Sequence, residues 1–520
     1  MHEGRRRGRN LGTLLPAIAL STAVLAGCAG AKNAAACDGQ PPRPAAQPNF
    51  LVVMTDDQTV ESLRVMPNVN RLLRRQGTTF SNMVVNDSDC CPSRATMLTG
   101  QQSRHHGVLW NAPPTGGFEA FTGQDTTLPV ALQSAGYETV MIGKYLNRFG
   151  ARDPEDRYVP PGWDDFKATL WPAESLYYEA AFFDNGRVVE TGEDDYVTDV
   201  ITRYATDAID RIGAGSKPFF MLVGQIAPHG EAGIPLREAD PANIDAQIAE
   251  RYPYLVSPAT PEEKYANRFS DEQLPASPAF DEADVSDKPE VLQRRPLDTA
   301  NIDAIRGGYR AELRTLLSVD DSVKVMIDAL EAKCMLDNTY VVYTSDNGYF
   351  HGEHRYPYGK YLAYQPSRDV PLIVRGPGVK AGAVQPSVVS NVDFAPTFAE
   401  LAGATLLREP DGRSLVPLLR AGPSERWGRA VYLEGHAPDG PLRPQFDGLY
   451  TGTFSYFDYG DAGTEFYDLV KDPDELNNLA GLPEAAGKIR SAQNLLRQLR
   501  ECKGANCAAI GSELAVASAG

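Results

Sequence analysis

The chain has no excess of positive charge. Its 520 residues carry 50 Lys and Arg against 68 Asp and Glu, a net charge of −18. Nucleic-acid binding needs a basic face, so that class of partner is excluded. The apolar run over residues 11–26 is too short for a comfortable membrane span. Histidine is scarce, at seven residues, and the seven cysteines show no structural zinc spacing. No internal repeat is evident, which argues against a repeat architecture. What remains is an ordinary globular composition, 42% apolar and 23% charged, long enough for one large domain plus a smaller one.

Arg5, Arg6, Arg7 and Arg9 precede the apolar run, the pattern of a targeting segment. The run ends in Leu25-Ala26-Gly27-Cys28, which resembles a bacterial lipobox. That resemblance implies cleavage before Cys28, lipid on its sulfur and anchoring to the outer face of the bacterial cell membrane. The arginine cluster is only loosely like a twin-arginine signal, so either export route stays open. Residues 1–27 are therefore expected to be a lipoprotein signal peptide, and 28–47, rich in Ala, Pro and Gln, a tether. Export permits disulfides. Cys502 and Cys507 are close enough for a local bridge, whereas Cys37, Cys91 and Cys334 have no clear pairing.

Residues 50–54 form a continuous apolar run, the texture of a strand buried on both faces of a parallel sheet, and lead into Thr55-Asp56-Asp57. Adjacent carboxylates at the end of a buried strand are costly unless a cation meets them. Strand ends are also where open α/β sheets place ligands. Residues 339–344 repeat the pattern and end in Ser345-Asp346-Asn347-Gly348. Asp56, Asp57, Asp346 and Asn347 make an all-oxygen set without histidine, suited to Ca²⁺ or Mg²⁺ rather than zinc.

Residues 90–100 read C-C-P-S-R-A-T-M-L-T-G, a short helix with Pro92 at its first position and Gly100 as its stop. Cys90 and Cys91 then sit at a helix N-terminus, where free N–H groups and the dipole favour an anion. Arg94 adds a permanent charge suited to a tetrahedral oxyanion. Strands over 139–142 and 219–223 deliver Gly143-Lys144 and Ala227-Pro228-His229, the latter an acid–base candidate. Lys360 follows the fourth strand, and 371–374 is a further one. Helices are expected over 66–76, 129–135 and 309–330, with an acidic, Pro-rich excursion over 231–300 that could wall the site. From about residue 390 the strands become shorter and more polar, over 450–459 and 464–469, before a helix at about 484–501. The expected organisation is a catalytic domain over 48–390, a C-terminal subdomain over 391–507 and a flexible tail over 508–520.

Taken together, these motifs resemble the type I, formylglycine-dependent sulfatases. Cys90-Cys91-Pro92-Ser93-Arg94 with Leu98-Thr99-Gly100 is similar to that family's C-x-P-S-R and L-T-G signature. Thr55-Asp56-Asp57, Gly143-Lys144, Ala227-Pro228-His229, Ser345-Asp346-Asn347-Gly348, the stretch 370–378 and Tyr467-Asp468-Leu469 match the same family in the same order. The resemblance implies an α/β, alkaline-phosphatase-like fold: a large mixed, mostly parallel sheet sandwiched by helices, with an antiparallel sheet in a smaller C-terminal subdomain. It implies that a maturation enzyme oxidises Cys90 to formylglycine, whose hydrate attacks sulfur, while Cys91 is a bystander.

It further implies that Asp56, Asp57, Asp346 and Asn347 hold a divalent cation, calcium before magnesium, against the modified Cys90. Arg94 would orient the hydrate, Lys144 and Lys360 would hold sulfate oxygens, and His229 would serve the leaving alcohol. Leu146 and Asn147 replace the aromatic–histidine pair that many sulfatases carry after Gly-Lys. Gly143-Lys144-Tyr145-Leu146-Asn147 and residues 316–321 instead resemble the N-acetylglucosamine-6-sulfatase branch, which implies a sulfated sugar or aryl sulfate as substrate. Two alternatives are a phosphodiesterase or phosphonate monoester hydrolase of the same superfamily, and a non-catalytic glycan-binding surface lipoprotein.

Overall fold

A computed structural model describes residues 47–240, 243–251, 257–421, 427–436 and 443–510. The expected signal peptide, the tether up to residue 46 and the tail from 511 lie outside the described residues. The sheet is built outward from Asn49–Asp56, in which every residue is buried. This strand pairs in parallel with Phe219–Pro228 on one side and Thr339–Ser345 on the other. Glu138–Gly143 and Asp165–Thr169 continue in parallel beyond the first, followed by antiparallel Ala181–Asp184 and Arg187–Glu190. On the opposite flank Leu372–Arg375 runs antiparallel, then Thr78–Phe80 and Ala383–Gln385 complete a ten-stranded mixed sheet. The inner strands carry continuous apolar runs, residues 50–54 and 219–223 among them, because helices cover both of their faces.

Val197–Gly213 and Thr299–Ala332 pack together on one face. Val197, Val200, Ile201, Ala208, Ile209 and Ile212 place a buried stripe at helical spacing on the first of these. Asp298 caps the second by accepting from the Asn301 N–H at 2.8 Å. Cys90–Thr99, Leu128–Ser134 and Phe394–Ala402 cluster on the other face. Phe50, at the sheet centre, meets Phe398 edge-on with ring centroids 5.2 Å apart.

A separate four-stranded antiparallel sheet, Val431–Gly435, Phe446–Tyr450, Phe454–Asp458 and Thr464–Asp468, lies toward the C-terminus. Ala486–Glu501 covers it with Ile489, Ala492, Leu496 and Leu499. The helices Phe394–Ala402 and Val416–Ala421 contribute their apolar residues to the core of the first sheet.

Several local expectations are corrected. The strand expected over 450–459 is a hairpin, because Gly452 takes φ 84° and the Thr451 hydroxyl accepts from the Phe454 N–H at 3.1 Å. The helix expected over 66–76 is one α turn, Pro67–Val69, that widens into a π-helix at Asn70–Arg74. Pro92 is the third helical residue, since the chain enters helix at Cys90 after an extended Asp89. Proline is tolerated there because first-turn N–H groups have no intrahelical partner. The described part of 231–300 is partly ordered as Ile244–Arg251 and short 3₁₀ turns. The long helix begins ten residues before the expected 309, at Thr299. Cys502 and Cys507 form a disulfide, Cys334 is also disulfide-bonded, and Cys90 and Cys91 are free.

Candidate active site

Because Glu138–Gly143, Phe219–Pro228, Asn49–Asp56 and Thr339–Ser345 are parallel neighbours, their C-terminal ends share one edge. That edge carries Lys144, His229, Asp56 with Asp57, and Asp346 with Asn347, each just inside or beyond the end of its strand. A tight approach brings two of these strands together. A Cβ on Gly143 or Gly224 would collide with the backbone of the other strand. The space so kept lets Arg94 donate from Nη1 to the Lys144 carbonyl at 2.6 Å.

The Cys90 side chain is the focus. Its Sγ lies 3.2 Å from Asp56 Oδ1 and 2.8 Å from Lys360 Nζ. Lys144 is ion-paired with Asp56, and Lys360 with Asp57. Arg94 donates from Nε to Asp346 Oδ2 at 2.7 Å, and its Nη2 stands 3.6 Å from Asp56 Oδ2. Ser93 ties the helix to the same strand end through the Asp346 carbonyl. Asn347 Nδ2 donates to Asp57 Oδ1 at 2.6 Å, whereas its buried Oδ1 has no hydrogen-bond partner. Asp56, Asp57, Cys90 and Asp346 each bring a donor atom within 4.8 Å of the others.

The electrostatics follow from this crowding. Burial alone would raise the Asp56 pKa, but Lys144, His229, Lys360 and Arg94 hold its carboxyl well below the usual carboxylate range. Burial, then the Asp56 charge, push Asp346 up. Lys144 and Lys360 lose solvation, yet their carboxylate partners keep both firmly protonated. Burial, then Asp56, push the Cys90 thiol well up, so it is not a thiolate. His229 is lowered by burial against the pull of Asp56 and Asp57. Its Nδ1 donates to the Gly230 carbonyl at 2.6 Å, so in the neutral ring Nε2 is bare and faces Asp57 Oδ2 at 3.8 Å. The ring can therefore accept a proton at Nε2, and can donate one only after taking it up.

All nine sequence-identified residues, Asp56, Asp57, Cys90, Arg94, Lys144, His229, Asp346, Asn347 and Lys360, thus belong to one connected cluster. Lys360 arrives on an irregular loop whose backbone is unusual. Gly359 and Tyr361 have φ of 101° and 92°, and for a tyrosine that is a strained position. Packing holds it there: the Tyr361 N–H donates to the Ser88 carbonyl at 3.2 Å, and its ring meets Phe446 of the second sheet at 5.8 Å. Farther along the loop Arg368 pairs with Glu475 at 2.7 Å, and Tyr364 donates to Glu465 at 2.7 Å. Tyr459 and Tyr467 donate to the same buried Glu465 carboxylate, at 2.9 and 2.5 Å.

A cavity of about 500 Å³ opens from Asp57, His229 and Lys360 and is walled by Trp110, Arg443 and Tyr356 among others. Sequence reasoning missed these walls, along with Asn111, which bonds the Cys91 N–H at 2.8 Å and Asp89 at 3.1 Å. The four tryptophans are the one compositional signal that could have drawn attention to Trp110. Arg443 carries no local pattern that marks it.

Comparison with known proteins places this arrangement. A profile described as sulfatase matches residues 48–404, and one described as N-sulphoglucosamine sulphohydrolase, C-terminal, matches 352–502. The chain is 31% identical over 554 residues to N-acetylglucosamine-6-sulfatase of Homo sapiens, covering 97% of this chain and 93% of that protein. It is 30% identical over 540 residues to N-acetylglucosamine-6-O-sulfatase of Bacteroides thetaiotaomicron, covering 94% and 90%. A protein solved in complex with its substrate D-glucosamine-2-N,6-O-disulfate is 27% identical with a TM-score of 0.68, covering 88% of this chain and 98% of that one. A phosphonate monoester hydrolase of Agrobacterium radiobacter shares the fold, with a TM-score of 0.64 at 20% identity and coverage of 87% and 95%.

Proposed function

The chain belongs to the sulfatase family, sulfuric ester hydrolases on the alkaline-phosphatase-like fold, and from that premise we propose that it cleaves sulfate esters of a sugar at Cys90. The named activities of its curated relatives support the sugar. The observation that carries the mechanism is the Cys90 side chain, clasped between Asp56 and Lys360 yet buried as a protonated thiol. A thiol in that state is a poor nucleophile, because the thiolate is the reactive form. Conversion of Cys90 to formylglycine by a maturation enzyme resolves the contradiction. The aldehyde hydrate offers one hydroxyl to take the sulfate and a second to expel it.

The residues present also fit a divalent cation, Ca²⁺ before Mg²⁺. Three carboxylates converge on one small volume, and the Asn347 carbonyl oxygen points to no other partner. Hard, all-oxygen donors of this kind suit those ions. Asp56, Asp57, Asp346, Asn347 and the modified Cys90 side chain would hold it, and when bound it supplies Lewis-acid polarisation of a sulfate oxygen.

The remaining roles belong to the chain's own side chains. Lys144 and Lys360, charged and aimed at the cluster, stabilise negative charge on the transferring sulfate. Arg94, pinned by Asp346 and by the Lys144 carbonyl, orients the hydrate. His229, once charged at Nε2, gives its proton to the leaving sugar oxygen. The lipobox-like Leu25-Ala26-Gly27-Cys28 supports a lipoprotein on the outer face of the bacterial membrane.

Mass spectrometry of the peptide spanning residue 90, from protein made with the maturation enzyme, tests the reading. Formylglycine is the expected mass. A thiol or cysteine disulfide as the sole form, in protein that still hydrolyses sulfate esters, would overturn the mechanism.

A further inference from the structure

The cavity holds a cation that the proposed reaction leaves unused. Arg443 lies on its wall with its guanidinium over the Trp110 ring, 4.6 Å from the centroid. Trp110 in turn meets Tyr361, the residue after Lys360, edge-on with ring centroids 5.9 Å apart. Arg443 is thereby linked through two aromatic rings to the side chain that faces the ester. Stacking on an aromatic face restrains a guanidinium while keeping its planar N–H fork available for an oxyanion.

The other charges on the wall are engaged differently. Asp57 is taken up by Lys360 and Asn347, Asp89 accepts from Asn111, and Glu231 is bonded by Thr260. Arg294 lies over Tyr356 at 4.9 Å and donates to the Val291 carbonyl at 3.0 Å. Arg443 is exposed and among the described residues forms no ion pair, although its charge attracts the buried Asp89 carboxylate, whose Oδ2 has no hydrogen-bond partner. The cavity wall therefore has cationic donor capacity left over, next to the ester-cleaving end.

We propose that Arg443 is a specificity residue that reads a second anionic group, a sulfate or a carboxylate, on the sugar whose ester lies against Cys90. This rests on the sulfated-sugar reading above. Recognition of this kind lowers KM for a dianionic substrate and leaves the chemistry at Cys90 alone.

The test compares kcat/KM of wild type, Arg443→Gln and Arg443→Lys on three substrates. These are a glucosamine derivative with one sulfate ester and a neutral N-acetyl group, the same sugar with an added N-sulfate, and a disaccharide in which a uronic acid supplies the second charge. Arg443→Gln should keep the monosulfated substrate within about twofold. It should lose roughly 10–100-fold on one or both dianions through KM, the range of one charge-assisted hydrogen-bond pair. Arg443→Lys should recover part of that loss, and which dianion responds identifies the group being read. Equal losses on all three substrates, or no loss on either dianion, would overturn the proposal while the sulfated-sugar reading stands. Failure of wild type to turn over any of the three, with aryl sulfate still hydrolysed, would overturn both.

Discussion

Lys360 and Cys90 come from different parts of the chain, 270 residues apart, yet Nζ and Sγ stand 2.8 Å from each other. The same ammonium pairs with Asp57. Lys360→Ala should therefore lower kcat by about 10²–10³-fold, the scale for removing one donor to developing charge. Steady-state kinetics on an aryl sulfate measure it, and a change confined to KM would remove Lys360 from the chemical step.

The two adjacent cysteines should separate cleanly. Cys90→Ala removes the proposed nucleophile and should abolish turnover. Cys91 is buried, and its backbone N–H, which a substitution keeps, is bonded by Asn111. Cys91→Ala should retain most activity and cost on the order of 1 kcal/mol of stability, as for a small buried apolar group. Activity assays paired with denaturant melts decide it, and the reverse outcome would shift the site by one residue.

Chelation should abolish activity and lower the Tm, with Ca²⁺ restoring both. Stabilisation by a ligand grows with its concentration relative to Kd, so the Tm should climb with added Ca²⁺. In Asn347→Leu, which deletes the unpartnered oxygen, the climb should be weaker at every concentration. A Tm indifferent to Ca²⁺ in the wild type would remove the cation from the site.

A pH test lies outside the cluster. His351 is buried, which alone would lower its pKa, but Glu312 at 2.7 Å, with Glu353 and Glu61, carries it up to about 9. A raised folded-state value stabilises fully below the unfolded pKa of about 6.5 and is lost as pH rises through about 9. His351→Asn should thus be less stable than wild type by about 3 kcal/mol at pH 6, with the gap nearly closed by pH 9.5. Urea melts across that range check it; a gap constant with pH would mean His351 acts by packing alone.

What was legible in the sequence was whatever lies beside a strand end or inside a short motif. Asp56, Asp346, Lys144 and His229 each follow an apolar run, and parallel pairing alone brings such ends together. Lys360 sits in no regular element, and its place depends on contacts with residues 446 and 465 that no local pattern announces. Arg443 and Trp110 were hidden for the same reason. The hairpin at Gly452 was missed because Tyr450, Phe454 and Tyr456 keep the aromatic texture of a strand on both sides of the turn. The π-helical turn at 70–74 and the position of Pro92 depend on how the chain enters each helix, which apolar periodicity does not record.

The anchoring of the Lys360 loop bears on where this chain could be divided. The sulfatase profile ends at residue 404, but the loop's strained Tyr361 rests on Phe446, and Arg368 on Glu475. A cut at that boundary would part Lys360 from the scaffold that aims it at Cys90 and Asp57. The two sheets have separate cores and no separate careers: truncation before residue 446 should yield a protein that cannot process its ester, and a swapped C-terminal half would have to reproduce the Phe446 and Glu475 contacts before any activity returned.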